Sequence, residues 1–580
     1  MEFYYSVEEN VGIIISLLKA HGVKKVVASP GATNVCLVES MCYDGSFEMY
    51  SAVDERSAAY MACGMAAESG EPVVLTCTGA TASRNYIPGM TEAYYRNLPV
   101  IAITASLHEG RLGQNFPQMI DRRSPLNDIV AASVLLPMVQ CEEDAWANNL
   151  KVNQALLLAR HGKGQPVHIN WTTECSIDYS RKELPPQRVI RKFCAGELLP
   201  EIKEEKVAIF IGAHMPIDEQ LTIAIDRFCE KYNGVVLCDQ TSNYRGKYRV
   251  LGNLVANQEL SKSPLTAIPL MIYLGDVSGA YMTLNPKKVW RVHPDGEPRD
   301  YFKVVENIFE MDELAFFEQY TRGLVNNKKT SHYQEWKEAY ERILEKVPEL
   351  PFSNLWTVKQ AAKKLPADSV LHIGILNSLR SWNFFETPDG VNCYSNTGGF
   401  GIDGNISSMI GASLVHPEKL YFGWVGDLSF FYDMNAIGNR HVGKNIRIAL
   451  INNGRGTEFR NYNHNGAIFG AEETDRFVAA AGHFGKQSPE LVKQYAENLG
   501  FEYLSASNKE EFLAVYERFL TPEITDRPML LEVFTDSQEE SDALKVMNTL
   551  ETSVACSAKN AVKKLLGEQG IQTIKKVLKH

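Results

Sequence analysis

Asp427 and Asn453 are a carboxylate and an amide oxygen 26 positions apart. The chain around Asp427 reads as an apolar strand (Tyr421 to Val425), a Gly426-Asp427 turn and a helix from about Ser429 to Arg440. A second apolar strand, Ile446 to Ile451, ends in Asn452-Asn453-Gly454. Two parallel strands joined by a helix bring both of their C-terminal ends to one sheet edge. Open α/β sheets bind their ligands at that edge. Hard oxygen ligands there suit Mg²⁺, a cation that commonly bridges a bound phosphate. An ordinary βαβ unit with a turn Asp and a turn Asn-Gly reads the same way locally, so the remaining chain has to discriminate.

Other residues with chemical potential lie far upstream. Glu55, in Asp54-Glu55-Arg56-Ser57, opens a helix rich in small residues. A strand from Val23 to Ala28 runs into Ser29-Pro30-Gly31-Ala32-Thr33, and a strand from Pro72 to Cys77 meets Thr78-Gly79-Ala80-Thr81-Ala82. Loops of small residues allow close backbone approach to a ligand. The polar stretch from His108 to Ser124, with Gln114, Asn115, Gln118 and Asp121, interrupts the regular alternation; long irregular segments in compact domains are commonly functional.

The elements that must position these groups alternate as strand and helix, the pattern of α/β domains with doubly wound parallel sheets. Residues 1–182 form a first block, and Pro-rich Glu183 to Gln187 reads as a linker. A middle block, 190–330, has strands at Val207 to Ile211, Gly234 to Cys238, Pro269 to Leu274 and Lys288 to Val292. It lacks a G-x-G-x-x-G fingerprint, so a structural role is expected over nucleotide binding. A charged helix (Gln334 to Glu349) leads to a third block, 350–545. Its strand–turn–helix–strand unit from Lys419 to Asn453 parallels Pro72 to Thr104, a weak internal repeat. Residues 546–580 are a basic amphipathic tail, expected to pack on an acidic protein.

Composition narrows the function. The chain has 580 residues, 45% of them hydrophobic, and a net charge of −11, which argues against nucleic-acid binding. No window approaches the ~20 apolar residues of a membrane span, so integral membrane contact is not expected. The acidic start lacks a signal peptide's basic end, and the 11 cysteines form no C-x-x-C pair. A reduced, cytoplasmic protein is expected.

These motifs together resemble the thiamine diphosphate (ThDP) enzymes of the pyruvate decarboxylase and acetolactate synthase superfamily, which carry a Gly-Asp turn and a double Asn. The order would be pyrimidine-binding, middle and diphosphate-binding domain, the first and third of similar topology. DERSAAYMACGMA, TGATASRNYIP, SNTGGFGIDG and GDLSFFYDMNA are most similar to the carboligase family of menaquinone biosynthesis. The resemblance implies that Glu55 hydrogen-bonds the aminopyrimidine ring and drives ylid formation, chemistry that belongs to the cofactor and that the protein tunes. It implies Mg²⁺ on Asp427, the Asn453 side chain and the Arg455 carbonyl. Backbone amides of Leu428 and Ser429, after Gly426, would bind phosphate. Ile402, beside Gly401, would be the apolar wedge that bends the cofactor, and Pro30, Gly31, Thr78, Asn85, Ser378 and Phe459 would complete the lining. Gln118 is added as a catalytic candidate from the polar stretch. The two half-sites would come from different subunits of a homodimer or homotetramer.

Departures are as informative. The menaquinone enzymes clamp anionic substrates with arginines; here Ala32 and Thr397 stand in two of those places. Trp382 stands in a third, with Arg380 out of register. This argues against the 2-oxoglutarate and isochorismate pair. Glu458 precedes Phe459 where an apolar side chain is usual: it is a second proton-transfer group, a ligand for a substrate hydroxyl or amine, or a solvent-facing residue. Arg111, Arg122 and Arg123 are candidates for a substrate carboxylate, and His464 for a lid. The expected activity is decarboxylation of a 2-oxo acid such as pyruvate, with transfer of the acyl carbanion to a carbonyl or enone acceptor. Simple non-oxidative decarboxylation is the alternative. A flavin-binding carboligase or a silent binding scaffold ranks below both.

Overall fold

The computed structural model describes residues 4–552 apart from 163, 324–329 and 484–487. The tail expected from 546 therefore lies almost wholly outside the described residues; its first residues complete a helix, Ser537–Asn548. The chain divides into two compact units, Met1–Leu199 with Val289–Met311, and Pro200–Lys288 with Asp312–His580.

The first unit carries strands β1 (Lys25–Ala28), β2 (Glu48–Ser51), β3 (Val73–Cys77), β4 (Val100–Ser106), β5 (Ala132–Leu136) and β6 (Val167–Thr172). They form a parallel sheet in the order β2-β1-β3-β4-β6-β5. Every residue of β3 is buried. A strand covered on both faces reads as a continuous apolar run, which is why VVLTC shows no alternation. The helix Glu55–Ser69 packs on Ile87–Arg96 so closely that a Cβ on Gly89 would lie 2.4 Å from that of Ala59. The small residues on this helix are there to allow the approach.

The middle block is also parallel. It holds β7 (Arg191–Cys194), β8 (Val207–Ile211), β9 (Gly234–Cys238), β10 (Arg249–Leu251), β11 (Leu270–Leu274), β12 (Val289–Val292) and β13 (Val305–Glu310). The run β10-β9-β8-β11 belongs to the second unit, and β12-β13-β7 is counted with the first.

The second unit also holds β14 (Val370–Ile373), β15 (Asn392–Tyr394), β16 (Tyr421–Gly426), β17 (Ile446–Asn452), β18 (Glu502–Ala506) and β19 (Met529–Phe534). Their order, β15-β14-β16-β17-β19-β18, repeats that of the first sheet position for position. The expected repeat is therefore a repeat of topology. Both sheets reverse winding direction at the same place, between β1 and β3 and between β14 and β16. Such switch points open a crevice at the strands' C-terminal ends.

One expected element is shorter than its sequence pattern. The helix after the Gly-Asp turn spans only Asp427–Tyr432, followed by a 3₁₀ turn at Met434–Gly438. Asp433 ends it: its carboxylate accepts from the backbone N–H and hydroxyl of Ser407, both at 2.6 Å. Asp bonded to backbone elsewhere competes with helix continuation.

Candidate functional site

The register of β16 with β17 pairs Gly426 with Ile451, which sets Asp427 beside the double Asn. Asp427 is buried. Its Oδ2 accepts from the backbone N–H of Asn453 (3.2 Å), Gly454 (2.5 Å) and Arg455 (3.2 Å), and its Oδ1 from that of Leu428 (2.7 Å). Burial pushes its carboxyl up to about 6 against the pull of those four donors. The side-chain oxygen of Asn453 is buried and has no hydrogen-bond partner. A buried amide acceptor without a donor is costly in an ordinary fold. A carboxylate, an orphaned amide oxygen and nearby backbone carbonyls are the donor set of a hard divalent cation. No group of three His, Cys, Asp or Glu ligands occurs among the described residues.

Asp427 and Asn453 line a cavity of about 180 Å³ that also gathers Ser378, Ile402, Gly426, Leu428, Ser429, Arg455, Glu458 and Phe459. The carbonyl of Ile402 is pinned from two sides, by the Ser429 hydroxyl (2.6 Å) and the Asn405 amide (2.8 Å). The apolar side chain offered at the cavity wall thus has a fixed backbone. Gly401 precedes it but is not part of the wall. Leu376, also in the wall, has φ +65. A non-glycine residue held there is strained, and such strain concentrates at functional sites.

Three wall residues escaped sequence reasoning. Asn354 donates to the Ser378 hydroxyl (3.2 Å) and accepts from the Trp424 indole (2.9 Å). Glu540 accepts from the Asn354 N–H (2.9 Å) and the Thr535 hydroxyl (2.8 Å), and burial raises its carboxyl to about 7. Leu376 is the third. None stands near the Gly-Asp turn in sequence, and a lone Asn, Glu or Leu gives no local signal.

Of the alternatives for Glu458, the solvent-facing one is set aside: both its oxygens take the Arg380 guanidinium, at 2.8 and 2.9 Å, and Asn461 adds a bond at 3.1 Å. Arg380 also donates to Asn377 (2.8 Å) and stands over the Tyr281 ring. Trp382, in the place of a family arginine, is fully buried edge-on to Trp424.

In the first unit, Glu55 begins its helix one residue after Asp54, which caps it by accepting from the Ser57 N–H (3.1 Å). The Asn85 amide donates to the Glu55 carboxylate at 3.2 Å. At the switch point, Gly31 approaches Thr78 so closely that a Cβ would lie 2.7 Å from that of Thr78. Pro30 and Gly31 line a separate cavity of about 340 Å³. Gln118 is exposed with φ +62, its carbonyl 3.6 Å from where a Cβ on Gly79 would stand. The loop arginines are occupied. Arg122 is buried on the Thr104 hydroxyl (2.7 Å) and the Ala105 carbonyl (2.8 Å), Arg123 pairs with Asp121 (2.6 Å), and Arg111 covers Phe116. His464 accepts from the Gly466 N–H and stands edge-on to Phe459.

Comparison with known proteins decides the family. A family model, thiamine pyrophosphate enzyme, N-terminal TPP binding domain, matches residues 11–124. A 2-succinyl-5-enolpyruvyl-6-hydroxy-3-cyclohexene-1-carboxylate synthase of Bacteroides fragilis is 32% identical over 564 residues, covering 93% of this chain and 98% of the relative. Synthases of the same description are 32% identical in Bacteroides thetaiotaomicron and 31% in Phocaeicola vulgatus, with the same coverage. The chain belongs to the thiamine diphosphate enzymes. The resemblance read from DERSAAYMACGMA and GDLSFFYDMNA is borne out, and so is a ThDP-dependent enzyme of three parallel-sheet α/β blocks. Among the described residues no helix is long and apolar enough to cross a membrane.

Proposed function

We propose that this ThDP enzyme decarboxylates a 2-oxo acid with the help of Mg²⁺ and transfers the acyl group to a carbonyl or enone acceptor. The observation that carries the reading is the pairing of buried Asp427 with the orphaned oxygen of Asn453 at one sheet edge. Asp427, the Asn453 side chain and the Arg455 carbonyl would hold Mg²⁺, and the backbone N–H groups of Leu428, which donates to Asp427 here, and of Ser429 would bind phosphate. When bound, thiamine diphosphate supplies the carbon nucleophile and takes up the electron pair released with CO₂. Glu55 holds and moves the proton at the aminopyrimidine ring nitrogen, and Asn85 orients its carboxylate. Ile402, in the cleft wall, would be the apolar support of the cofactor. Pro30, Gly31, Thr78, Ser378 and Phe459 line it, and Gln118 serves the substrate side. Arg380 fixes Glu458, which acts as a positioning residue and not as an acid.

The Glu55 half of one copy completes the Asp427 half of another, in a homodimer or a tetramer of two dimers. A cytoplasmic setting fits the ten cysteines that are free among the described residues. The relatives' named product contains a succinyl group, but the residues at Ala32, Thr397 and Trp382 offer no arginine for a second carboxylate, so pyruvate is the assigned donor. Product analysis with pyruvate and a panel of aldehyde and keto acceptors tests this. Ligated product is expected, lost on chelation of divalent cations. CO₂ release with no ligation for any acceptor would leave a simple decarboxylase.

A further inference from the structure

A second cavity of about 580 Å³ lies in the same unit as the Asp427 cleft. The two share Glu458 in their walls, and Arg380, in the wall of the larger one, donates to Glu458 and to Asn377 of the smaller one's wall, so they meet at that ion pair. The wall of the larger one comes from residues 256–283 of the middle block and from 380, 384, 458–464 and 548 of the third. Its character is polar but uncharged overall. Its two cations, Arg380 and Lys262, are matched in number by Glu259 and Glu458. Arg380 is held by Glu458 and Asn377, and Glu259 accepts from the Tyr462 hydroxyl at 2.5 Å. The uncharged polar wall is supplied by Asn257, whose oxygen accepts from the Thr283 N–H, by Asn548, whose amide donates to Tyr462, and by Thr283, Asn463, Gln258 and His464. Side-chain amides and a hydroxyl present donors and acceptors side by side. A ligand bearing several hydroxyl groups can satisfy such a wall, whereas one bearing two carboxylates would meet no free guanidinium.

We infer that this cavity is the acceptor compartment of the proposed carboligation, and that its occupant is an uncharged, polyhydroxylated aldehyde or ketone. The inference rests on the reaction assigned above. In that reaction the bond from the acyl carbon to the departing CO₂ breaks. The electron pair left on that carbon forms the new bond to the acceptor's carbonyl carbon, and the acceptor's oxygen takes a proton from water. The product is a 2-hydroxy ketone. The Arg380–Glu458 pair stands at the passage between the two cavities as a specificity determinant. Its mutual neutralisation admits an uncharged acceptor and withholds the guanidinium from an anionic one, which leaves exposed Lys262 as the ammonium in that wall.

The test uses the full chain with ThDP, Mg²⁺ and pyruvate, offered D-erythrose or succinic semialdehyde. Erythrose should be ligated with kcat/KM at least about tenfold higher. In Asn463→Trp and Thr283→Phe, both at exposed positions, the ratio of ligated product to CO₂ should fall by at least about tenfold. A preference for the semialdehyde, or a ratio that neither variant moves, overturns the compartment while leaving the decarboxylation reading in place. Calorimetry with unreactive erythritol separates the opposite failure. Binding to the ThDP-loaded chain that Asn463→Trp abolishes supports the compartment even where pyruvate is not consumed, and absence of binding overturns it.

Discussion

Asp427 and Glu540 are buried carboxyls in the wall of one cleft, Glu532 is buried on the Asn452 amide, and burial raises the carboxyl of each. Their mutual repulsion adds to the effect, since Asp427 is among the charges raising both glutamates. Such a cluster is unfavourable by itself, and a divalent cation beside it would offset the repulsion. Glu540 allows a clean check because it touches Asn354 and Thr535 and is not a proposed metal ligand. Its carboxyl stands at about 7 folded against an ordinary 4.5. The native state therefore binds more protons than the unfolded chain between those values. The stability Glu540 contributes is greatest below 4.5 and is lost as pH rises towards 7. Urea unfolding of the cofactor-free chain should show Glu540→Gln gaining on the wild type by on the order of 3 kcal/mol across that range. A difference that stays flat with pH would remove Glu540 from the cluster.

At the scale of elements, the close crossing of Glu55–Ser69 with Ile87–Arg96 fixes where Glu55 and Asn85 meet. Gly89→Ala would drive a methyl into Ala59. The expected cost is about 1–3 kcal/mol, read by thermal or urea unfolding, with activity falling because Glu55 moves with its helix. Wild-type stability would mean that the helices part without consequence. The Glu55 helix was legible from its small residues, and the central strands from their apolar runs. The strands β7, β10 and β13 were not. RKFC and VENIFE carry charges amid short patterns, and β10 has only three residues, so their strand state comes from pairing and not from local preference. The helix stop at Asp433 was hidden for a similar reason, because Ser407, which holds that carboxylate, is 26 residues away. Within the proposed site, Asp427 and Asn453 were readable from turn chemistry and spacing, and Glu55 from the resemblance to the ThDP enzymes. Asn354, Leu376 and the Arg380–Glu458 pair arise from contacts across the fold. Reading Arg380 as out of register was misleading in space, since its guanidinium reaches Glu458 of the cleft wall from the six-residue helix Asn377–Trp382.

For the whole molecule, the repeated strand order of the first and third blocks is the organising fact. Each block ends two strands at a switch point, and each switch point carries half of the proposed site: Gly31 and Thr78 with Glu55 in one, Asp427 and Asn453 in the other. Pairing the halves between copies has a direct consequence. Chains carrying Glu55→Gln and chains carrying Asp427→Ala should each be inactive alone. Mixed and reassembled, they should regain about a quarter of wild-type activity, because random pairing gives half heterodimers with one intact site in two. No recovery would place both halves within one chain.

The most direct measurement is CO₂ release from pyruvate by the purified chain with ThDP and Mg²⁺, wild type against Glu55→Gln. A glutamine keeps the shape and the bond from Asn85 but cannot carry the proton. Release by the wild type that falls by about a hundredfold or more in the variant, with ThDP still bound, is the predicted result. Full activity of Glu55→Gln would contradict the account.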